Sequence, residues 1–212
     1  MDNGWDDSAA AWIDDMGERG DFSREFILDP ALKARIALKT FANALDVGCG
    51  EGRFCRLLEG LGIAATGIDF RIGGNRAFYV PSQDYVQVPP PQAYFEPINW
   101  HRTALHEMGH ATGHASRLGR DFSGGFGTKT YAFEELIAEI SSAFCCASLG
   151  IVPTVRHADY IGSWLEVMRE DSRAIVRAAS QASKAADWLL AHLPDDSTDV
   201  DRQTPTEGRT AA

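Results

Sequence analysis

Basic residues are scarce in this chain of 212 residues: twenty Lys and Arg stand against thirty Asp and Glu, a formal charge of −10. A protein that tracks DNA needs a basic face to displace counterions from phosphates, so direct DNA binding is not expected. Long apolar runs are also missing, and none approaches the roughly 18 residues of a membrane helix. Near the N-terminus, Asp2, Asp6, Asp7, Asp14 and Asp15 stand where a signal peptide would carry a basic segment and an apolar core. The expected location is the cytoplasm, with no membrane partner. Cysteines number four, and none form C-x-x-C knuckles. Cys145 and Cys146 are adjacent in a helical pattern, while Cys49 and Cys55 lie in and just after a glycine-rich turn. That excludes a disulfide framework and a Cys-only zinc site. A metal site would have to be built on histidines.

The pattern changes character near residue 71. Residues 1–38 read as helical, with Ala9, Trp12, Ile13 and Met16 on one stripe and Phe26, Leu32, Ile36 and Leu38 on another. A short apolar strand at 44–47, the turn Gly48-Cys49-Gly50-Glu51-Gly52, a helix at 53–59 and a strand at 63–68 ending at Asp69 predict a β-α-β unit with parallel strands. Beyond it, 77–80 and 85–88 predict a hairpin across Pro81-Ser82-Gln83-Asp84, closed off by Pro89-Pro90-Pro91. Helices follow at about 99–113, from an N-cap at Thr128 to Leu149 with Gly150 as the stop, at about 157–169 and at about 172–193. Residues 194–212 are polar and aperiodic, a predicted disordered tail. The domains expected are thus 1–70, 72–193 and the tail 194–212.

The strongest chemical signal is His106-Glu107-Met108-Gly109-His110. Residues four apart stack on one helix face, so both imidazoles can reach one ion. Glu107, about 100° round the helix, can sit beside the metal and take a proton from bound water. His114 continues the ladder but would lie about 12 Å along the axis from His106, so it is expected at the surface or behind the site. Gly113 fits the glycine of H-E-x-x-H-x-x-G-x-x-H, but Ser116 stands where that motif needs its third histidine.

The helix carrying Glu134, Glu135 and Glu139 supplies the better third ligand. Glu134 is expected on a solvated face, where substitution has little effect. Glu135 and Glu139 lie beside the buried stripe of Leu136, Ile140, Ala143 and Phe144, where a carboxylate needs a positive partner. Gluzincins take a glutamate from a second helix as ligand, with an acidic residue four places later holding one of the histidines. Glu135 and Glu139 match that spacing. The assignment is Glu107 as proton carrier, Zn2+ on His106, His110 and Glu135, and Glu139 behind them; Glu134 and Glu139 stay open as alternative ligands. Three protein ligands leave a position for water, as in catalytic rather than structural zinc sites.

The stretch Gly73-Gly74-Asn75-Arg76-Ala77-Phe78-Tyr79, the run from His106 to His114 with Ser116-Arg117-Leu118, Tyr131-Ala132-Phe133-Glu134-Glu135-Leu136 and Tyr160-Ile161-Gly162-Ser163-Trp164-Leu165 resemble the C-terminal metallopeptidase domain of ArdC-type antirestriction proteins, also called the polyvalent-protein metallopeptidase domain. The resemblance covers about residues 72–193. It implies a zincin-like α+β fold (a small sheet, the HExxH helix and C-terminal helices), a zinc peptidase and a link to mobile DNA. Protein or peptide substrates, host defence or restriction proteins among them, are the partners it implies. No counterpart of that family's usual single-stranded-DNA-binding domain is recognised. Ala111 replaces a residue that is commonly aromatic there.

Residues 44–69 resemble a different family. Leu45-Asp46-Val47-Gly48-Cys49-Gly50-Glu51-Gly52, followed by Gly67-Ile68-Asp69, is similar to the cofactor motif of class I S-adenosylmethionine methyltransferases, so 1–70 reads as a truncated, partial Rossmann-like segment. Asp46, Gly48, Gly50, Gly52 and Asp69 are its cofactor-binding candidates. A sheet of that family has about seven strands against two here, so S-adenosylmethionine binding is not expected. The alternative function is a methyltransferase fragment fused to an inert zincin domain.

Overall fold

Glycine geometry starts the fold. Gly48, Gly50 and Gly52 all hold positive φ, at 98°, 52° and 82°, a conformation that side chains resist. They turn the chain sharply from strand β1 (Asn43–Val47) into a helix over Arg53–Gly60 and on to strand β2 (Ala64–Ile72). β1 and β2 pair in parallel, Asn43 opposite Ala64 and Val47 opposite Ile68. With the preceding helix Asp29–Ile36 named α1, the connecting helix is α2. A π-helical turn over Arg24–Leu28 leads into α1. The apolar stripe predicted there is largely exposed: Phe26, Leu32 and Leu38 all face out.

This computed structural model describes residues 20–125, 127–152 and 173–193, with isolated positions at 11, 13, 14, 16, 17, 169 and 171. Most of the first predicted stripe, nearly all of the helix expected at 157–169, and the tail 194–212 lie outside the described residues.

The predicted hairpin is present as β3 (Phe78–Val80) and β4 (Tyr85–Val88), antiparallel, with Tyr79 opposite Val86. β4 then pairs in parallel with β2, Asp69 opposite Tyr85 and Ile72 opposite Val88, giving one four-stranded mixed sheet in the order β1-β2-β4-β3. The expected change of character at residue 71 therefore falls inside a strand. β2 meets β1 through residues 64–68 and β4 through residues 69–72.

Three helices stack behind the hairpin: α3 (Ile98–Ala111) lies on β3 and β4, α4 (Lys129–Ser148) packs on α3, and α5 (Ala174–Leu190) packs on α4. Ile68, Val86 and Val88 form the apolar centre with Ala104, Ala111, Cys145 and Leu189. Each fully buried aliphatic side chain of this kind contributes about 1.5–3 kcal/mol. A second cluster joins Leu136 and Ile137 of α4 to Ala178 and Ala182 of α5, whose small side chains let the two helices approach. Arg117, only 4% exposed, fastens the assembly: it donates to the Gly67 carbonyl on β2 (3.1 Å), both carboxylate oxygens of Asp84 in the hairpin (2.7 and 3.0 Å) and the Ala111 carbonyl at the end of α3 (2.9 Å).

Candidate metal centre

Helix α3 is anchored where the Trp100 indole donates to the Pro89 carbonyl (2.8 Å), tying it to the end of β4. It ends at Ala111, and His114 therefore leaves the helical ladder; its Nδ1 sits 2.8 Å from the Ser116 hydroxyl, on the Asp84 side of the fold. α4 begins where predicted, with the Thr128 hydroxyl accepting from the Tyr131 amide (3.3 Å). The two helices can approach closely because Gly109 faces α4. A Cβ at that position would fall 3.3 Å from the Ser141 hydroxyl and 3.4 Å from the Ala138 backbone.

That contact brings His106, His110 and Glu135 together. Nε2 of His106 lies 3.4 Å from one Glu135 oxygen and Nε2 of His110 lies 3.5 Å from the other. One ligand atom from each of the three falls within 4.8 Å of the others, the spacing of a cation cradle. Behind each ring stands another carboxylate. His110 Nδ1 is hydrogen-bonded to Glu134 (3.1 Å), while His106 Nδ1 lies 3.1 Å from Glu139, an approach too oblique to be a hydrogen bond. Each of those carboxylates meets a guanidinium in turn, Arg120 on Glu134 and Arg102 on Glu139.

Glu134 is thus the correction to the sequence reading. It is buried rather than solvated, because α4 is covered on several sides and its first turns present Glu134, Glu135, Leu136 and Ile137 all to the interior. Arg102 and Arg120 were not singled out either. Arg102 on α3 and Arg120 in the loop that follows reach their carboxylates through tertiary packing that no local spacing records. A Cβ on Gly113 would fall 2.8 Å from the Arg120 guanidinium carbon and 2.7 Å from the Phe122 ring, so glycine leaves room for the Arg120 side chain there.

The charges agree with the geometry. Four buried carboxylates (Glu107, Glu134, Glu135 and Glu139) face two guanidiniums, so the cluster draws further positive charge to itself. Burial opposes charging of both imidazoles, yet the carboxylates outweigh it and push His110 up to about 10. Burial likewise opposes ionisation of Glu135, and the two imidazoles hold it well below the usual carboxylate range. The cluster demands positive charge, which two imidazoles and a carboxylate direct to one point. The donor set fits a divalent ion such as zinc. Burial pushes Glu107 above the usual carboxylate range. Its side chain lines, with His106, His110, Glu135, Phe78 and Tyr79, a cavity of about 330 Å³.

The candidates of the first sheet segment lie elsewhere. Asp46 on β1 is raised by burial and sits 3.8 Å from the Cys55 thiol. Asp69 is held by Arg71 at 2.8 Å, and a Cβ on Gly67 would fall 2.5 Å from the Cys49 sulfur, which packs between the glycine turn and β2. None of Asp46, Gly48, Gly50, Gly52 or Asp69 lines the cavity holding Glu107.

A two-histidine, one-glutamate cradle on crossing helices, beside a short sheet, is the arrangement of the zincin class of metallopeptidases. Residues 59–181 match the zincin-like metallopeptidase family, and the chain belongs to it. An uncharacterised protein of Sinorhizobium fredii, y4eC, is 46% identical over 145 residues, covering 68% of this chain and 45% of its own length. A DNA primase TraC of Escherichia coli is 46% identical over 131 residues, 61% of this chain and 12% of TraC. The chain thus spans less than half the length of these relatives. The Mn(II)-bound crystal structure of the plasmid antirestriction protein ArdC shares 44% identity at a TM-score of 0.53, over 58% of this chain and 47% of ArdC. The metal-free form of ArdC matches at a TM-score of 0.51. Among the described residues, no helix is long and apolar enough to cross a membrane.

Proposed function

We propose that this chain is a metal-dependent peptidase of the antirestriction kind, acting on protein targets such as host defence or restriction proteins. The observation that carries the reading is the convergence of His106, His110 and Glu135 on one point, with Glu107 beside them on the wall of the same cavity. A divalent cation held by these three residues would supply Lewis-acid polarisation of a water and a scissile carbonyl. Glu107 performs the proton work: its carboxylate accepts a proton from the attacking water and returns it to the leaving amine nitrogen. Burial keeps Glu107's proton affinity high, which suits a group that must hold the proton between those two events. Among the described residues β3 is an edge strand of the sheet, and its Phe78 and Tyr79 line the cavity, so an extended peptide can lie along it. The ArdC likeness supports the antirestriction setting, and the charge of −10 favours protein over DNA as the target.

The test compares two variants by hydrolysis of an unfolded protein substrate and by bound zinc. Glu107→Gln is expected to abolish hydrolysis while zinc stays bound. Glu135→Ala is expected to lose both. Full hydrolysis by Glu107→Gln, or full zinc occupancy of Glu135→Ala, would overturn the assignment. Plasmid protection in restricting cells should follow hydrolysis across the same variants.

A further inference from the structure

We propose that Arg120 and Glu134 form a positioning pair that fixes the ring of His110 for the metal, an inference that rests on the metal-centre reading above. Arg120 holds Glu134 with both arms of its fork, Nε on one oxygen at 2.9 Å and Nη2 on the other at 2.8 Å. Glu134 in turn meets His110 Nδ1 at 3.1 Å. A carboxylate at that nitrogen is met by an N–H, which makes Nε2, on the Glu135 side, the nitrogen that would offer its lone pair to a cation in the cradle. The carboxylate is not free to choose another position, because Arg120 is itself immobilised. Its Nη1 donates to the Thr112 hydroxyl (2.8 Å) and its Nη2 to the Gly109 carbonyl (2.6 Å), so the guanidinium lies across the last turn of α3.

Arg120, Glu134 and His110 have side chains no more than 9% exposed, so no water replaces a lost partner cheaply. The glycine at 113 makes the space for this bridge, where a Cβ would meet the guanidinium at 2.8 Å. His106 has a different arrangement: its Nδ1 contact with Glu139 is oblique, and Arg102 meets Glu139 from the same helix that carries His106. The orientation of the His110 ring is therefore set from outside α3, by a loop residue and a residue of α4; Arg120 Nη2 also reaches the His110 carbonyl at 3.4 Å, a long contact beside its 2.6 Å bond to Gly109, so its hold on the imidazole runs through Glu134.

Zinc affinity of the full chain, measured by competition with a chromogenic chelator, tests this without reference to turnover. Glu134→Ala is expected to weaken binding about 10–100-fold, the usual effect of losing such a partner. Arg120→Ala should weaken it by about tenfold or more, and the double variant no further than Glu134→Ala alone. Glu134→Gln keeps a carbonyl acceptor and should restore most of the affinity. Arg120→Lys, which cannot grip both oxygens, should fall between wild type and Arg120→Ala. Imidazole nitrogen NMR of the zinc-loaded protein should show the Nδ1–H signal of His110 displaced in Glu134→Ala with that of His106 unmoved. Where an alanine variant does not fold, Glu134→Gln and Arg120→Lys carry the comparison. Arg53→Ala, which breaks a buried ion pair elsewhere, is the control: it should lower stability and leave zinc affinity alone. Wild-type affinity in Glu134→Ala and Arg120→Lys would overturn the proposal, as would strictly additive losses in the double variant. If His110→Ala also retains zinc, the metal-centre reading itself fails, which is a separate outcome.

Discussion

Asp29 and Arg53 show how one pair of side chains ties distant segments of a small protein. The Arg53 fork grips both oxygens of Asp29 at 2.8 Å, with both side chains largely buried, and so joins the start of α1 to the start of α2. The Arg53 hydrogen bonds hold the Asp29 carboxyl below its ordinary range, against the opposing effect of burial. A carboxylate with a depressed native pKa stabilises the fold above its unfolded value of about 3.9, and that contribution is lost as pH falls through the native pKa. Asp29→Asn should therefore cost about 1–3 kcal/mol at neutral pH, with the gap to wild type shrinking below about pH 4. Thermal melts between pH 7 and pH 3 check it; a gap independent of pH would show that the charge is not what matters. Site residues differed in how plainly they could be read. His106, Glu107 and His110 were legible because two ligands one helical turn apart leave a local pattern. Glu135 was placed beside a stripe that the structure bears out only in part: Leu136 is buried and Ile140 half-buried, but Ala143 and Phe144 face out, because the far end of α4 is uncovered on that side. Glu134 was misread because burial on several sides of α4 hides the contrast between inner and outer faces, and Arg120 reaches its partners through folding that no local spacing records.

At the level of elements, the gap between α3 and α4 sets where the ligands meet. Gly109 is the residue that closes that gap, with Ala138 and Ser141 opposite. Gly109→Ala gains about 1 kcal/mol of helix propensity but places a methyl 3.3 Å from the Ser141 hydroxyl, so the facing helix must give by a few tenths of an ångström, at a cost of about 1–3 kcal/mol. A modest net loss of stability is expected. Zinc affinity should fall more than stability does, because moving α4 by a few tenths of an ångström carries Glu135 away from both imidazoles together. Unchanged affinity in a destabilised Gly109→Ala variant would show that the cradle tolerates such a shift. Helix α3, helix α4 and the hairpin were legible from caps and periodicity, since Thr128, the proline run and alternating Tyr85-Val86-Gln87-Val88 are local signals. The length of β2 was not. Arg71 and the exposed Ile72 look like loop residues, and only pairing with Gln87 and Val88 makes them strand.

Across the whole molecule, the sheet decides what can be cut away. A chain starting at residue 73 would keep the metal ligands but lose β2, leaving β4 without its parallel neighbour and removing Ile68 from the apolar centre. Such a fragment should be insoluble or fail to show a cooperative thermal transition, and chromatography with calorimetry would show it; a well-folded fragment would mean that β3, β4 and the helices suffice. The split pairing of β2 is a lap joint: two short overlaps on a single continuous strand, with no direct bond between the outer members. Load passed between β1 and β4 runs along the β2 backbone in shear, and Arg117 pins that backbone to α3 at Gly67. Slippage of β2 by one residue would turn Ile68 outward and misalign both overlaps at once. The register of a strand bearing no metal ligand thus governs the seating of the helix that bears two.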